Sequence, residues 1–108
     1  MPGESDRAKT VRATVLLREF EVTQRELIAA RAAVEAGEQP QGSLRSRVVR
    51  TLELLSLVQA VPERACRKLY VEVGLADARW SLNTVVTTLD LLERGVEHLR
   101  KHAPPVGA

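Results

Sequence analysis

Aromatic side chains are scarce in this chain: Phe20, Tyr70 and Trp80 are the only three in 108 residues. A sandwich or barrel of this length normally draws on more aromatic and turn residues, so the shortage argues for helices packed through Leu, Val and Ala. Cysteine is rarer still. The lone Cys66 excludes an intrachain disulfide and fits a reducing compartment. Long apolar runs are missing as well. No stretch reaches ~18 uninterrupted apolar residues, and the opening Met-Pro-Gly-Glu-Ser-Asp-Arg has no apolar segment behind its charges, so neither a membrane span nor a signal peptide is expected. Charge of one sign is not in excess either. Sixteen Lys and Arg, thirteen of them Arg, oppose 14 Asp and Glu for a formal net charge of +2, too near balance to imply nucleic acid by itself. There is no glycine-rich phosphate cradle, serine-nucleophile motif or closely spaced carboxylate pair, which removes the common routes to catalysis. The expectation is a soluble, cytoplasmic, non-catalytic protein without a cofactor.

Helical periodicity is what the chain has. Aliphatic residues recur at Leu82, Val85, Leu89, Leu92, Val96 and Leu99, in alternating steps of three and four that describe one stripe of a helix. Thr84, Val85, Val86, Thr87 and Thr88 are β-branched and lower its intrinsic helicity, so other helices must cover the stripe. A first helix is expected from Ser5 or Asp6 to Ala36, stopped by Gly37, with residues 1–4 as a frayed start. Its main face is Ala13, Leu16, Leu17, Phe20, Leu27, Ala30 and Val34. A second line, Ala8, Val11, Val15, Val22, Ala29 and Ala33, predicts contact with two neighbours. The small residues of Ile28 to Ala36 predict its tightest helix contact.

After the loop Glu38 to Ser43, a second helix is expected from Leu44, capped by Ser43, to Val61, with Leu52 to Val61 its most buried part. Pro62 either kinks this helix or starts another, which Gly74 ends. Leu69, Val71 and Val73 also alternate like a strand, but no second strand is on offer for pairing. Leu75 to Arg79 forms a connector, Ser81 caps the last helix with Trp80 stapled to Val85, and Pro104-Pro105 opens a mobile tail over 103–108. The fold class is therefore all-α, one domain over residues 5–102. Its helices form an up-down antiparallel bundle of three long rods, or of four if Pro62 splits the second fully.

Several constellations invite a chemical reading, each beside a structural one. His98 and His102 share a helix face and could chelate a metal with Glu97 or Cys66; with Arg100 and Lys101 they equally place positive charge where the helix dipole favours it. No metal is assigned. Cys66 lies among Arg64, Arg67 and Lys68, cations that would activate a thiolate, yet its place three residues before Leu69 makes it a core residue. Glu21 with Arg25, Glu63 with Arg67, Asp90 with Arg94 and Glu97 with Lys101 read as solvated i,i+4 pairs.

Two groups point to partners. Arg45, Arg47 and Arg50 open a helix, where the dipole disfavours cations, and call for a compensator: Glu35 and Glu38, an acidic partner, or a phosphate backbone. Thr84, Thr88, Leu91 and Gly95 form a second line on the last helix, where a mid-helix glycine suggests close approach of another helix. The leading functional reading is a non-catalytic interaction or assembly module that pairs with itself or another helical protein. The alternative is a nucleic-acid-associated helical protein. Ala65 to Val96, through Leu69, Gly74-Leu75, Val85-Val86, Leu89, Leu92 and Glu93-Arg-Gly-Val96, resembles the second half of a winged helix-turn-helix domain. It departs from that pattern in the long spacing between Gly74 and Val85 and in lacking a hairpin wing after Val96.

Overall fold

The computed structural model describes residues 2–58, 60–74 and 79–102, with side chains described from Arg12 to Lys101 within those ranges. Four helices fill them: α1 (Pro2–Glu35), α2 (Ser43–Leu55), α3 (Glu63–Gly74) and α4 (Leu82–His102). The fold is all-α, and Pro62 splits the expected second rod into α2 and α3 rather than kinking it. The alternating stretch Lys68 to Val73 is helical. The expected tail over 103–108 and most of the connector, 75–78, lie outside the described residues.

Local chemistry explains the boundaries. α1 begins at Pro2, ahead of the Ser5 or Asp6 expected as its start; proline suits a first helical position because its missing N–H has no intrahelical partner there. At its other end Gly37 takes φ +81. Gly37 N–H bonds the Val34 carbonyl at 3.0 Å and Glu38 N–H bonds the Ala33 carbonyl at 2.8 Å, the paired closure that a left-handed glycine permits. α2 stops at Leu55, six residues short of the expected Val61. The Ser56 hydroxyl bonds the Glu53 carbonyl at 2.6 Å, the following N–H groups of Leu57 and Val58 tighten to three-residue bonds, and Pro62 disfavours a helical Val61. Among the described residues between Leu55 and Pro62, Val58 and Val61 are buried and Leu57 is 74% exposed, so the expectation of a buried Leu52 to Val61 holds for its first half. Ser43 does not cap α2; it is the first helical residue, behind an uncapped Gly42. Ser81 does cap α4, its Oγ accepting the Thr84 N–H at 3.1 Å.

Cross-helix contacts fix the topology. Gln39, just past α1, exchanges two bonds with the backbone of Trp80 at the start of α4: Trp80 N–H to Gln39 Oε1 at 2.8 Å and Gln39 Nε2 to the Trp80 carbonyl at 3.3 Å. Glu21 meets Arg100 near the other end of α4 at 3.6 Å. α1 and α4 are therefore antiparallel, and they form the most extensive interface, followed by α2 with α3. Glu26 with Arg47 and Thr23 with Thr51 set α2 antiparallel to α1 in the same way. Phe20, Leu27, Val48, Leu52, Leu55, Val85 and Leu92 are fully covered at the centre. Leu82, expected on the buried stripe of α4, is 41% exposed in the first turn of that helix, although Trp80 just before it is buried.

The shape is elongated. The longest dimension is 51 Å, the length of 34 helical residues at ~1.5 Å each, whereas α4 spans only about 32 Å by the same rise. Arg100, near the end of α4, stands beside Glu21, and Ala13, Leu16 and Leu17 of α1 still pack against the core.

Candidate functional site

Thr84, Thr88, Leu91 and Gly95 do not form an outward face. Thr88, Leu91 and Gly95 are buried and Thr84 is half-buried, and the close approach that Gly95 implied is made within the chain. A Cβ on Gly95 would lie 2.5 Å from Leu55 Cδ2, 3.6 Å from Phe20 and 3.7 Å from Val61. This is tighter than a real Cβ contact, so the glycine is what allows α4 to seat on Leu55. Of the stretch Ile28 to Ala36, expected to make the tightest contact of α1, Ala30 is buried and Val34 packs against the core, whereas Ile28, Ala29 and Ala32 are exposed.

The arginine cluster is partly answered from inside. Arg47 Nε sits 3.0 Å from Glu26 Oε2, and Arg50 shares with Glu19, Glu26, Ser43 and Ser46 an open groove of about 360 Å³ between α1 and α2. Glu26, not Glu35 or Glu38, is the compensator of Arg47; Glu35 pairs with Arg31 at 3.0 Å. Two carboxylates on the walls make this groove a poor seat for phosphate. Of the expected i,i+4 pairs, Glu63 and Arg67 close at 2.7 Å, whereas Glu21 reaches across to Arg100.

Cys66 is buried, and its thiol pKa is raised, first by desolvation and second by the nearby Glu63 carboxylate. Both effects disfavour the thiolate and outweigh Arg64, Arg67 and Lys68, whose side chains reach solvent. His98 is half-buried on α4, and the His102 side chain lies outside the described residues. Among the described residues no three His, Cys, Asp or Glu side chains converge where a metal ion could be held. No described helix is long and apolar enough to cross a membrane.

The sequence reading passed over a buried polar contact. Thr51 donates to the Arg47 carbonyl at 2.8 Å, so across the 2.9 Å Thr23–Thr51 contact it is Thr23 that donates. Both threonines are buried. The signal was present, because Thr23 falls between Phe20 and Leu27 at helical steps and Thr51 between Val48 and Leu55.

The second line of α1 is only partly covered. Phe20, Thr23, Leu27 and Ala30 are buried, whereas Val15 is 56% exposed and Ala29 is exposed; Val22 and Ala33 are half-buried. Ala29 and Ala33 border the start of α2, in a groove shared with Pro40, Ser43 and Leu44. The other large exposed apolar residues are scattered: Ile28 on α1, Leu57 at the α2–α3 turn, Tyr70 and Val71 on α3, and Leu82 at the start of α4. Compared with family models, curated proteins and solved structures, the chain matches none of them.

Proposed function

We propose that the chain is a non-catalytic helical module that assembles with itself or with another helical protein through the outer face of α1. One observation carries this reading: the longest helix bears two apolar lines, and the bundle buries only one fully, leaving Val15 and Ala29 exposed on the other. An amphipathic surface helix normally turns charge to solvent on the face away from its core. Here Val15 and Ala29 stand exposed, and Val22 half-buried, among the charges Arg18, Glu19, Arg25 and Glu26, and the sequence extends the row through Val11 and Ala8.

Nucleic-acid binding draws less support, because Glu19 and Glu26 share the groove of Arg47 and Arg50. The test is capture of companions from the protein's own cell extract by the full chain and by Val22→Glu, alongside DNA and RNA binding at two salt concentrations. A companion lost in Val22→Glu, with no salt-steep nucleic-acid binding, is the expected result. A steep salt slope with no protein companion would reverse the reading.

A further inference from the structure

We infer that the outer face of α1 pairs with the same face of a second copy of this chain, in parallel, with Val22 at the centre. The inference rests on the assembly reading above and names its partner. Ala8, Val15, Val22 and Ala29 recur every seven residues, a spacing that holds one line of a helix against another over several turns. The charges around this line decide the occupant and its direction. Arg18 and Arg25 lie on one side of Val22, four residues before and three after it; Glu19 and Glu26 lie on the other, three before and four after.

A second copy turned about an axis along the helix sets Arg18 beside Glu19 of the other copy, and Arg25 beside its Glu26, twice over by symmetry. An antiparallel copy centred on Val22 sets arginine on arginine and glutamate on glutamate. Complementary flanks thus select a parallel pair. Arg47 holds Oε2 of Glu26, leaving Oε1 for Arg25 of the second copy. α2 borders the strip on the glutamate side, so a second copy seats beside α2 and in place of neither α2 nor α4. The strip from Ala8 to Ala29 is about 32 Å long and 10 Å wide, which buries roughly 300 to 500 Å² per copy. That is the size of a transient interface, and association is expected in the micromolar range.

Sedimentation velocity on the full chain tests this, with circular dichroism as the folding control. The wild-type chain is expected to dimerise reversibly, and Val22→Glu to sediment as a folded monomer. Arg18→Glu/Arg25→Glu and Glu19→Lys/Glu26→Lys are each expected to be monomeric alone and to form a heterodimer when mixed. Val15→Cys is expected to oxidise to a covalent dimer, since parallel pairing brings the two cysteines together; antiparallel pairing would hold them about 20 Å apart. A dimer that survives both Val22→Glu and the charge reversals overturns this face but leaves the assembly reading intact. A wild-type chain that stays monomeric overturns the inference and the self-association half of that reading. Crosslinking of Val15→Cys only to Ala29→Cys overturns the parallel direction.

Discussion

Replacing Gly95 with alanine sets helix propensity against packing. Alanine is better than glycine inside a helix by about 0.8 to 1.0 kcal/mol, so on α4 alone the change would stabilise. In the folded chain the added carbon arrives 2.5 Å from Leu55 Cδ2. Leu55 is fully buried and cannot swing into solvent, so the neighbouring side chains must shift. Overpacking of this kind costs about 1 to 3 kcal/mol, and the net expectation is a loss of about 1 kcal/mol, or roughly a 4 °C fall in Tm for a domain of this size. Urea denaturation followed by circular dichroism measures it. In a Leu55→Ala background the clash is gone, and the same substitution should stabilise by about 1 kcal/mol, a coupling of about 2 kcal/mol across the cycle. The change is expected to be equal at every protein concentration, because Gly95 packs inside one chain. Full stabilisation by Gly95→Ala in the otherwise unmodified protein, or a coupling of zero, would show that Leu55 does not crowd α4 and would refute the reasoning.

Other expectations follow from single contacts. Thr51→Val strands the Thr23 hydroxyl in the core and should cost about 1 to 3 kcal/mol, whereas Thr23→Val/Thr51→Val should cost markedly less, because both partners leave together; chemical denaturation compares them. Ser81→Ala removes the N-terminal cap of α4 and should cost about 1 kcal/mol, while Ser43→Ala should stay within about 0.5 kcal/mol, since Ser43 caps nothing; equal losses would sink that distinction. Cys66 should resist thiol reagents in the folded protein and react promptly in urea. Its raised thiol pKa means that the folded state holds the proton more tightly than the unfolded one. Its contribution to stability is therefore complete below the ordinary thiol range and is lost as pH climbs through that range to the raised value. A pH titration of the urea midpoint reads this, and Glu63→Gln should reduce it.

Much of the fold is legible in the sequence because helical period survives in the pattern of Leu and Val. Val85, Leu92, Val96 and Leu99 are buried where that period puts them, and Gly37 and Ser81 end and begin helices as their chemistry dictates. The failures have physical causes. Leu57 looks like core because local period carries no information on where a helix stops; the Ser56 hydroxyl and Pro62 together end α2 early and turn Leu57 outward. Glu26 was not read as the partner of Arg47 because that pairing depends on the α1–α2 register, which the chain sets through Thr23 and Thr51, polar residues inside an apolar row. The latch between Gln39 and Trp80 escaped for the same reason, since an exposed loop glutamine carries no periodic signal. On α4, the glycine signalled close approach correctly but not its partner, Leu55, because one helix pattern does not say which neighbour arrives. For α1, two apolar lines predict two neighbours, and α4 and α2 both pack against it, although the second line stays only partly covered.

The molar mass of the full chain by light scattering, followed through a dilution series, tests most directly whether the partly covered line of α1 is a surface for a second copy. The expected result is a mass that rises with concentration from the 11.9 kDa of one chain toward twice that value and falls back on dilution. A mass fixed at 11.9 kDa throughout the micromolar range would contradict it.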